Sequence, residues 1–272
     1  MLNKNVRYTV FQGRAGDRNS LGIAGAQAIG NVFLQRSGTP PVIVGAPAAA
    51  LDAGWREELD AALPGLHRLK AHMEGVFAEG ALSVAATSRC AASLATLPAL
   101  AKYYPQACVV WFDAHGDLNT PGTTTSGFLG GLALTAPLGL WQSGLGSGLA
   151  FSQLVLVGQR DLDPDEELLI EQHNIPCIRP GQHLAERLRE AVAGRAVYAH
   201  VDCDVLEPGI VPTDYISKGG LLLQDLHACF QTFSAETLLG MEIAEFESAW
   251  QAGGPPAAPE PLVDALLASL YA

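Results

Sequence analysis

Three side chains of metal-ligand type stand at alternate positions in the stretch Val109 to Pro121 (V-V-W-F-D-A-H-G-D-L-N-T-P): Asp113, His115 and Asp117. In an extended backbone, alternate residues point the same way, so two carboxylates and an imidazole would face one point. That donor set suits a divalent transition metal. A second cluster lies at Tyr198 to Pro208 (Y-A-H-V-D-C-D-V-L-E-P), where Asp202 and Asp204 again alternate at the end of an apolar run. Two aspartates there are costly to bury unless something cationic neutralises them. Ligands dominated by oxygen suit two octahedral-leaning ions bridged by shared carboxylates, manganese before zinc. His200 precedes Asp202 by two and shares its face. It could relay a proton or add a ligand; a hydrogen-bonded core histidine is the plainer alternative.

The elements that must position these groups alternate in type. Strands are expected at Arg7 to Gln12, Pro41 to Gly45, Ala81 to Ala86, Ala107 to Phe112, Gln153 to Gly158, Pro176 to Ile178, Ala196 to Asp204 and Leu238 to Phe246. Helices are expected at Leu21 to Leu34, Gly54 to Leu63, His67 to Phe77, Leu94 to Tyr103, Asp163 to His173, His183 to Ala193, Leu221 to Phe233 and Pro261 to Tyr271. Such alternation predicts an α/β fold, three layers α/β/α around a mainly parallel sheet. No repeat or linker divides the chain, so residues 1–272 read as a single domain. The candidate ligands follow strand C-termini, where open α/β sheets place their sites.

Almost half of the 272 residues are apolar, 16% are charged and the net charge is -12. That balance argues against nucleic acid or an anionic membrane surface as partner. No run has transmembrane length and the polar start is not a secretory signal. The five cysteines are odd in number and widely spaced, without a Cys-x-x-Cys pair, which predicts a reduced, cytoplasmic protein. Cys108, Cys177 and Cys203 read as core, and His67, His72, His173, His183 and His227 as surface residues. Trp111 shares the face of Asp113; core packing is its plainer reading.

The segments D-A-H-G-D-L-N-T-P and H-V-D-C-D-V-L-E-P resemble the two metal motifs of the ureohydrolase family, which includes arginases and agmatinases. Met241 to Phe246 (M-E-I-A-E-F) resembles its last motif. The resemblance implies an arginase-like fold and a manganese-dependent hydrolase acting on a linear amidine. Asp113, His115, Asp117, Asp202 and Asp204 would then be metal ligands. The ions would lower the pKa of a water that attacks the guanidino carbon, Asp117 would handle a proton, and Glu245 would pair with the guanidino group. The expected partner is a small guanidino amino acid. Family members form trimers or hexamers, so a homo-oligomer is open, although nothing in the sequence specifies an interface.

The chain departs from the family pattern at several points. Thr87-Ser88-Arg89-Cys90-Ala91 stands where the family has Gly-Gly-Asp-His-Ser, so Cys90 occupies the place of a metal-binding histidine. Thiolate is poorly matched to manganese, so the ion on the Cys90 and Asp117 side is expected to be the looser one, with Asp113 and His115 holding the firmer. Cys90 as a buried filler outside the ligand set is the alternative. Gly130 stands where arginases have a histidine proton shuttle, and Phe128 where they have an asparagine. Asn119 and Ser126 resemble arginase contacts to the substrate α-carboxylate. Asp163 and Glu166 resemble its contacts to the α-amino group, although acidic residues also suit a helix start. Their retention favours an α-amino acid over agmatine. Together the departures resemble the branch of the family that releases hydroxyurea and L-ornithine from Nω-hydroxy-L-arginine in antibiotic biosynthesis. L-Arginine, another guanidino acid, or a non-catalytic binding role are the alternatives.

Overall fold

Short aliphatic and β-branched runs form the eight strands of one sheet in the computed structural model, which describes residues 5–234 and 236–271. The strands are β1 (Val6–Phe11), β2 (Val42–Val44), β3 (Leu82–Ala86), β4 (Cys108–Phe112), β5 (Leu154–Val157), β6 (Cys177–Ile178), β7 (Val197–Asp202) and β8 (Leu238–Ala244). Their order is β2-β1-β3-β8-β7-β4-β5-β6. Every pairing between these strands is parallel, so the sheet is wholly rather than mainly parallel. Parallel neighbours need crossover connections; helices supply them except between β4 and β5, which are joined by the long segment 113–153 with two short 3₁₀ turns.

The helices are α1 (Leu21–Ser37), α2 (Trp55–Ala78), α3 (Ser93–Tyr103), α4 (Pro164–Gln172), α5 (Leu184–Val192), α6 (Leu223–Phe230) and α7 (Glu260–Tyr271). Alternation within the strands divides the core between two faces. In β4, Cys108, Val110 and Phe112 pack with residues of α1, α5, α6 and α7, while Val109 and Trp111 pack with α2 and α3. Cys203 joins the first face, as its alternation requires.

Four expectations change. The two helices expected before and after Pro64 are one, α2, with the proline inside. An interior proline costs about 3 kcal/mol, but the continuous stripe of Leu59, Ala62, Leu66, Leu69, Met73 and Phe77 is buried and offsets it. Strand β7 stops at Asp202, and Cys203–Val205 form a single 3₁₀ turn. Strand β8 stops at Ala244, so Glu245 stands just beyond it with φ +63°. Two of the histidines read as surface residues are half-buried. His72 Nε2 lies 2.9 Å from Thr9 Oγ1, and His227 Nδ1 lies 3.0 Å from the Ala265 carbonyl.

Helix α1 lies directly on the chain leaving β8. A Cβ added at Gly25 would stand 1.8 Å from the Phe246 carbonyl oxygen, an approach only glycine permits. Gly25→Ala is therefore expected to lower the unfolding free energy by about 2–3 kcal/mol, read from denaturant or thermal unfolding. A change within about 0.5 kcal/mol would refute the close packing.

Candidate active site

Strands β3, β8, β7 and β4 are neighbours at the middle of the sheet, and the segments leaving all four reach one cavity of about 230 Å³. It opens beyond the carboxyl ends of the strands, where parallel sheets build their sites. Cys90 arrives after β3, His115, Asp117 and Asn119 after β4, Asp202 and Asp204 from the end of β7, and Glu245 after β8.

The structure brings the expected ligands together in three overlapping groups: Asp113, His115 and Asp204; Cys90, Asp113 and Asp117; and Cys90, Asp202 and Glu245. Within each group one donor atom per residue lies within 4.8 Å of the others. The cause is not strand alternation. After Phe112 the backbone leaves the strand, and Asp117 reaches the cavity through a left-handed φ of +50°. Asp204 is delivered by the 3₁₀ turn, whose Asp204 N–H donates to Asp202 Oδ1 at 2.7 Å. A non-glycine residue in the left-handed region is uncommon, and here Asp117 and Glu245, both lining the cavity, adopt it.

Crowding sets the electrostatics. Burial, reinforced by the neighbouring carboxylates, pushes Asp113, Asp117 and Asp202 above the usual aspartate range. Burial likewise lifts Glu166 and Glu245 from the usual 4.5 to about 7, the latter against the pull of Arg89. For Asp204 the His115 imidazole, 3.0 Å away, outweighs burial and holds the carboxyl low. Burial opposes the charge on His115, but its hydrogen bonds to Asp113 and Asp204 win and raise its pKa. The Cys90 thiol is pushed well up, first by burial and then by Asp202 and Glu245.

A hydrogen-bonded chain runs behind the cavity. Cys90 Sγ lies 3.0 Å from Asp202 Oδ2 and 3.1 Å from His200 Nε2. His200 Nδ1 lies 2.9 Å from Glu242 Oε1, and Glu242 also accepts from Ser93 at 2.5 Å and Tyr198 at 3.0 Å. Burial pushes Glu242 up, but the His200 and Ser93 contacts outweigh it and hold the carboxyl low. His200 is fully buried, does not line the cavity, and stacks on Trp111 at 3.5 Å. Trp111 Nε1 in turn donates to Asp113 Oδ2 at 2.8 Å, so Trp111 is core and a partner of the site at once.

At the mouth, Asn119 Nδ2 donates to Asp163 Oδ2 at 2.8 Å. Glu166 accepts the backbone N–H of Leu118 at 2.9 Å and of Asp163 at 3.0 Å, tying α4 to the loop after β4. Ser126 is exposed, and its Oγ accepts the Phe128 N–H at 3.2 Å. Phe128 and Gly130 form one feature: a Cβ at Gly130 would stand 2.6 Å from the Phe128 ring. Arg89 and Glu242 were not singled out by sequence reasoning. Their signal is a charged residue set among small and apolar neighbours, Arg89 just after β3 and Glu242 within β8, which only strand order can interpret.

This donor set fits a divalent cation. Asp117 Oδ2 is buried without a hydrogen-bond partner, and oxygens predominate among the donors. The raised carboxyls give a pH test. A carboxyl whose folded pKa lies above its unfolded value contributes stability that is complete below the unfolded value and is lost as pH rises through the folded one. For Glu166 and Glu245 that window runs from 4.5 to about 7. The metal-free protein should therefore show a falling melting temperature between about pH 5 and about pH 8, with an added divalent cation restoring stability most at the upper end. A melting temperature that rises over this range and ignores added divalent cations would contradict it.

The chain matches the arginase family model over residues 44–255. It is 40% identical over 240 residues to the Nω-hydroxy-L-arginine amidinohydrolase of Streptomyces lavendulae, covering 88% of each chain. Its fold matches the solved arginase of Bacillus caldovelox with a TM-score of 0.82 at 24% identity, covering 98% of both chains. The arginase of Entamoeba histolytica, solved with L-ornithine, gives 0.83 at 20% identity, covering 100% of this chain and 99% of that one. A wholly parallel eight-stranded sheet, an acidic cavity beyond the ends of its central strands and these similarities together make the chain a member of the arginase family.

Proposed function

We propose that this protein hydrolyses the guanidino group of Nω-hydroxy-L-arginine, giving L-ornithine and hydroxyurea, with one or two manganese ions. The observation that carries the reading is the convergence of His115, Asp117, Asp202, Asp204 and Glu245 on one small cavity, with the buried carboxylate of Asp113 grouped directly behind them. The name of the 40% identical relative supports the N-hydroxylated substrate. Asp113, His115 and Asp204 would hold one ion, and Cys90, Asp113, Asp117 and Asp202 the other. When bound, such ions supply water activation and Lewis acidity.

The chain's own residues do the rest. Glu245 accepts hydrogen bonds from the guanidino nitrogens. Asn119, Ser126, Asp163 and Glu166 stand at the mouth, where the α-amino acid end would lie. Water adds through its oxygen to the guanidino carbon, the bond from that carbon to the ornithine side-chain nitrogen breaks, and that nitrogen takes up a proton given up by the water. Asp117, held above the usual range by burial and by Asp113, suits keeping a proton at Oδ2. His200 does not touch the cavity, so it acts through Cys90 as a positioning residue. Five free cysteines support a cytoplasmic location.

The test is a substrate panel with manganese: Nω-hydroxy-L-arginine, L-arginine and agmatine, with ornithine or putrescine measured as product. The hydroxylated substrate should have the highest kcat/KM, by about tenfold or more, and agmatine the lowest. A clear preference for L-arginine, or no amine released from any of the three, would sink the proposal.

A further inference from the structure

The guanidinium of Arg89 is wholly buried and faces four carboxylates. Its Nη1 lies 2.7 Å from Glu245 Oε2 and 3.5 Å from Asp214 Oδ2, its Nη2 3.3 Å from Glu247 Oε1, and its Nε 3.4 Å from Asp17 Oδ1. Glu245 is the nearest partner. Two of the others have further donors: Asp17 Oδ2 accepts the Ala15 N–H at 2.9 Å and the Ser88 hydroxyl at 3.3 Å, and Glu247 accepts from Asn19 at 2.6 Å. Glu245 Oε1 accepts the Cys90 N–H at 2.9 Å. Each oxygen of Glu245 is therefore bonded from the protein side, while the residue still lines the cavity.

A carboxylate with a guanidinium fixed behind it attracts a second guanidinium less than a free carboxylate does, because repulsion from the first offsets the attraction. It keeps its capacity to accept a hydrogen bond from a neutral N–H or O–H. We infer that Arg89 is a specificity-determining positioning residue: it holds Glu245 in place and offsets its charge, so that the cavity favours a neutral guanidino group over a cationic one. N-hydroxylation lowers the basicity of a guanidine, which makes a hydroxyguanidine the matching class of substrate. The inference rests on the guanidino-hydrolase reading above and adds the residue that sets its selectivity.

Two substitutions separate charge from shape. Arg89→Gln removes the charge, and Arg89→Lys keeps it without the planar fork. In R89Q the ratio of kcat/KM for Nω-hydroxy-L-arginine to that for L-arginine should fall by at least about tenfold, while R89K stays within about threefold of wild type. A purely structural role would lower both activities and leave the ratio in place, which overturns the inference. If R89Q does not fold, the wild-type protein decides. L-Arginine should compete with the hydroxylated substrate with an inhibition constant at least about tenfold above the KM of that substrate, and a smaller gap overturns the inference. A wild-type protein that turns over neither compound overturns the functional reading and this inference together. Turnover of the hydroxylated substrate with an unchanged R89Q ratio overturns this inference alone.

Discussion

Too many negative charges in too little water is the condition that the centre of this protein must satisfy. Asp113, Asp117, Asp202, Asp204 and Glu245 are buried at or beyond the ends of neighbouring strands, and Glu242 is buried within β8 behind them. An isolated buried carboxylate is expensive, and like charges side by side raise the cost further. The chain answers in three ways. His115 compensates Asp204 and Asp113, Arg89 compensates Glu245, and His200 lies against Glu242. What stays uncompensated is concentrated at Asp117 and Asp202, on the side where Cys90 stands. The remaining demand for positive charge is what the family meets with metal.

Topology makes this crowding achievable. Cys90 and Glu245 are 155 residues apart, yet the Cys90 N–H donates to the Glu245 carboxylate because β3 and β8 are neighbours. Parallel strands all point their carboxyl ends one way, so four adjacent strands deliver four loops to one place. The helices bury both faces of the sheet, and the acidic cavity lies beyond its carboxyl edge. Rigidity follows from the same arrangement: Trp111 is clamped in the core, stacked on His200, and holds Asp113 through its indole N–H.

Much of this was legible in the sequence, although partly for the wrong reason. The α/β alternation, the layers and the convergence of Asp113, His115, Asp117, Asp202 and Asp204 were all readable from apolar runs ending in ligand-type residues. The supporting argument, alternation along an extended strand, does not hold at Asp117 or Asp204, because a left-handed residue and a 3₁₀ turn deliver them. Pattern located the groups; backbone bends that no periodicity encodes aimed them. Arg89 and Glu242 stayed hidden because their meaning depends on which strands are neighbours. From its spacing to Asp202, His200 read as a relay, a ligand or, more plainly, a hydrogen-bonded core histidine, and the structure gives the last of these. Cys90, which packs between His200 and the open space, keeps it out of reach.

The contact between Phe128 and Gly130 has a consequence for how such a site can change. The ring occupies the space into which any side chain at position 130 would grow. A bulkier residue at 130 is blocked while the phenylalanine stays, and a smaller residue at 128 opens a gap while the glycine stays. The two positions are therefore coupled: a side chain at 130 requires the ring at 128 to turn away or be trimmed. Changing one of the two alone therefore disturbs the other, so a lineage, or an engineer, moving between the two forms gains by changing them as a pair.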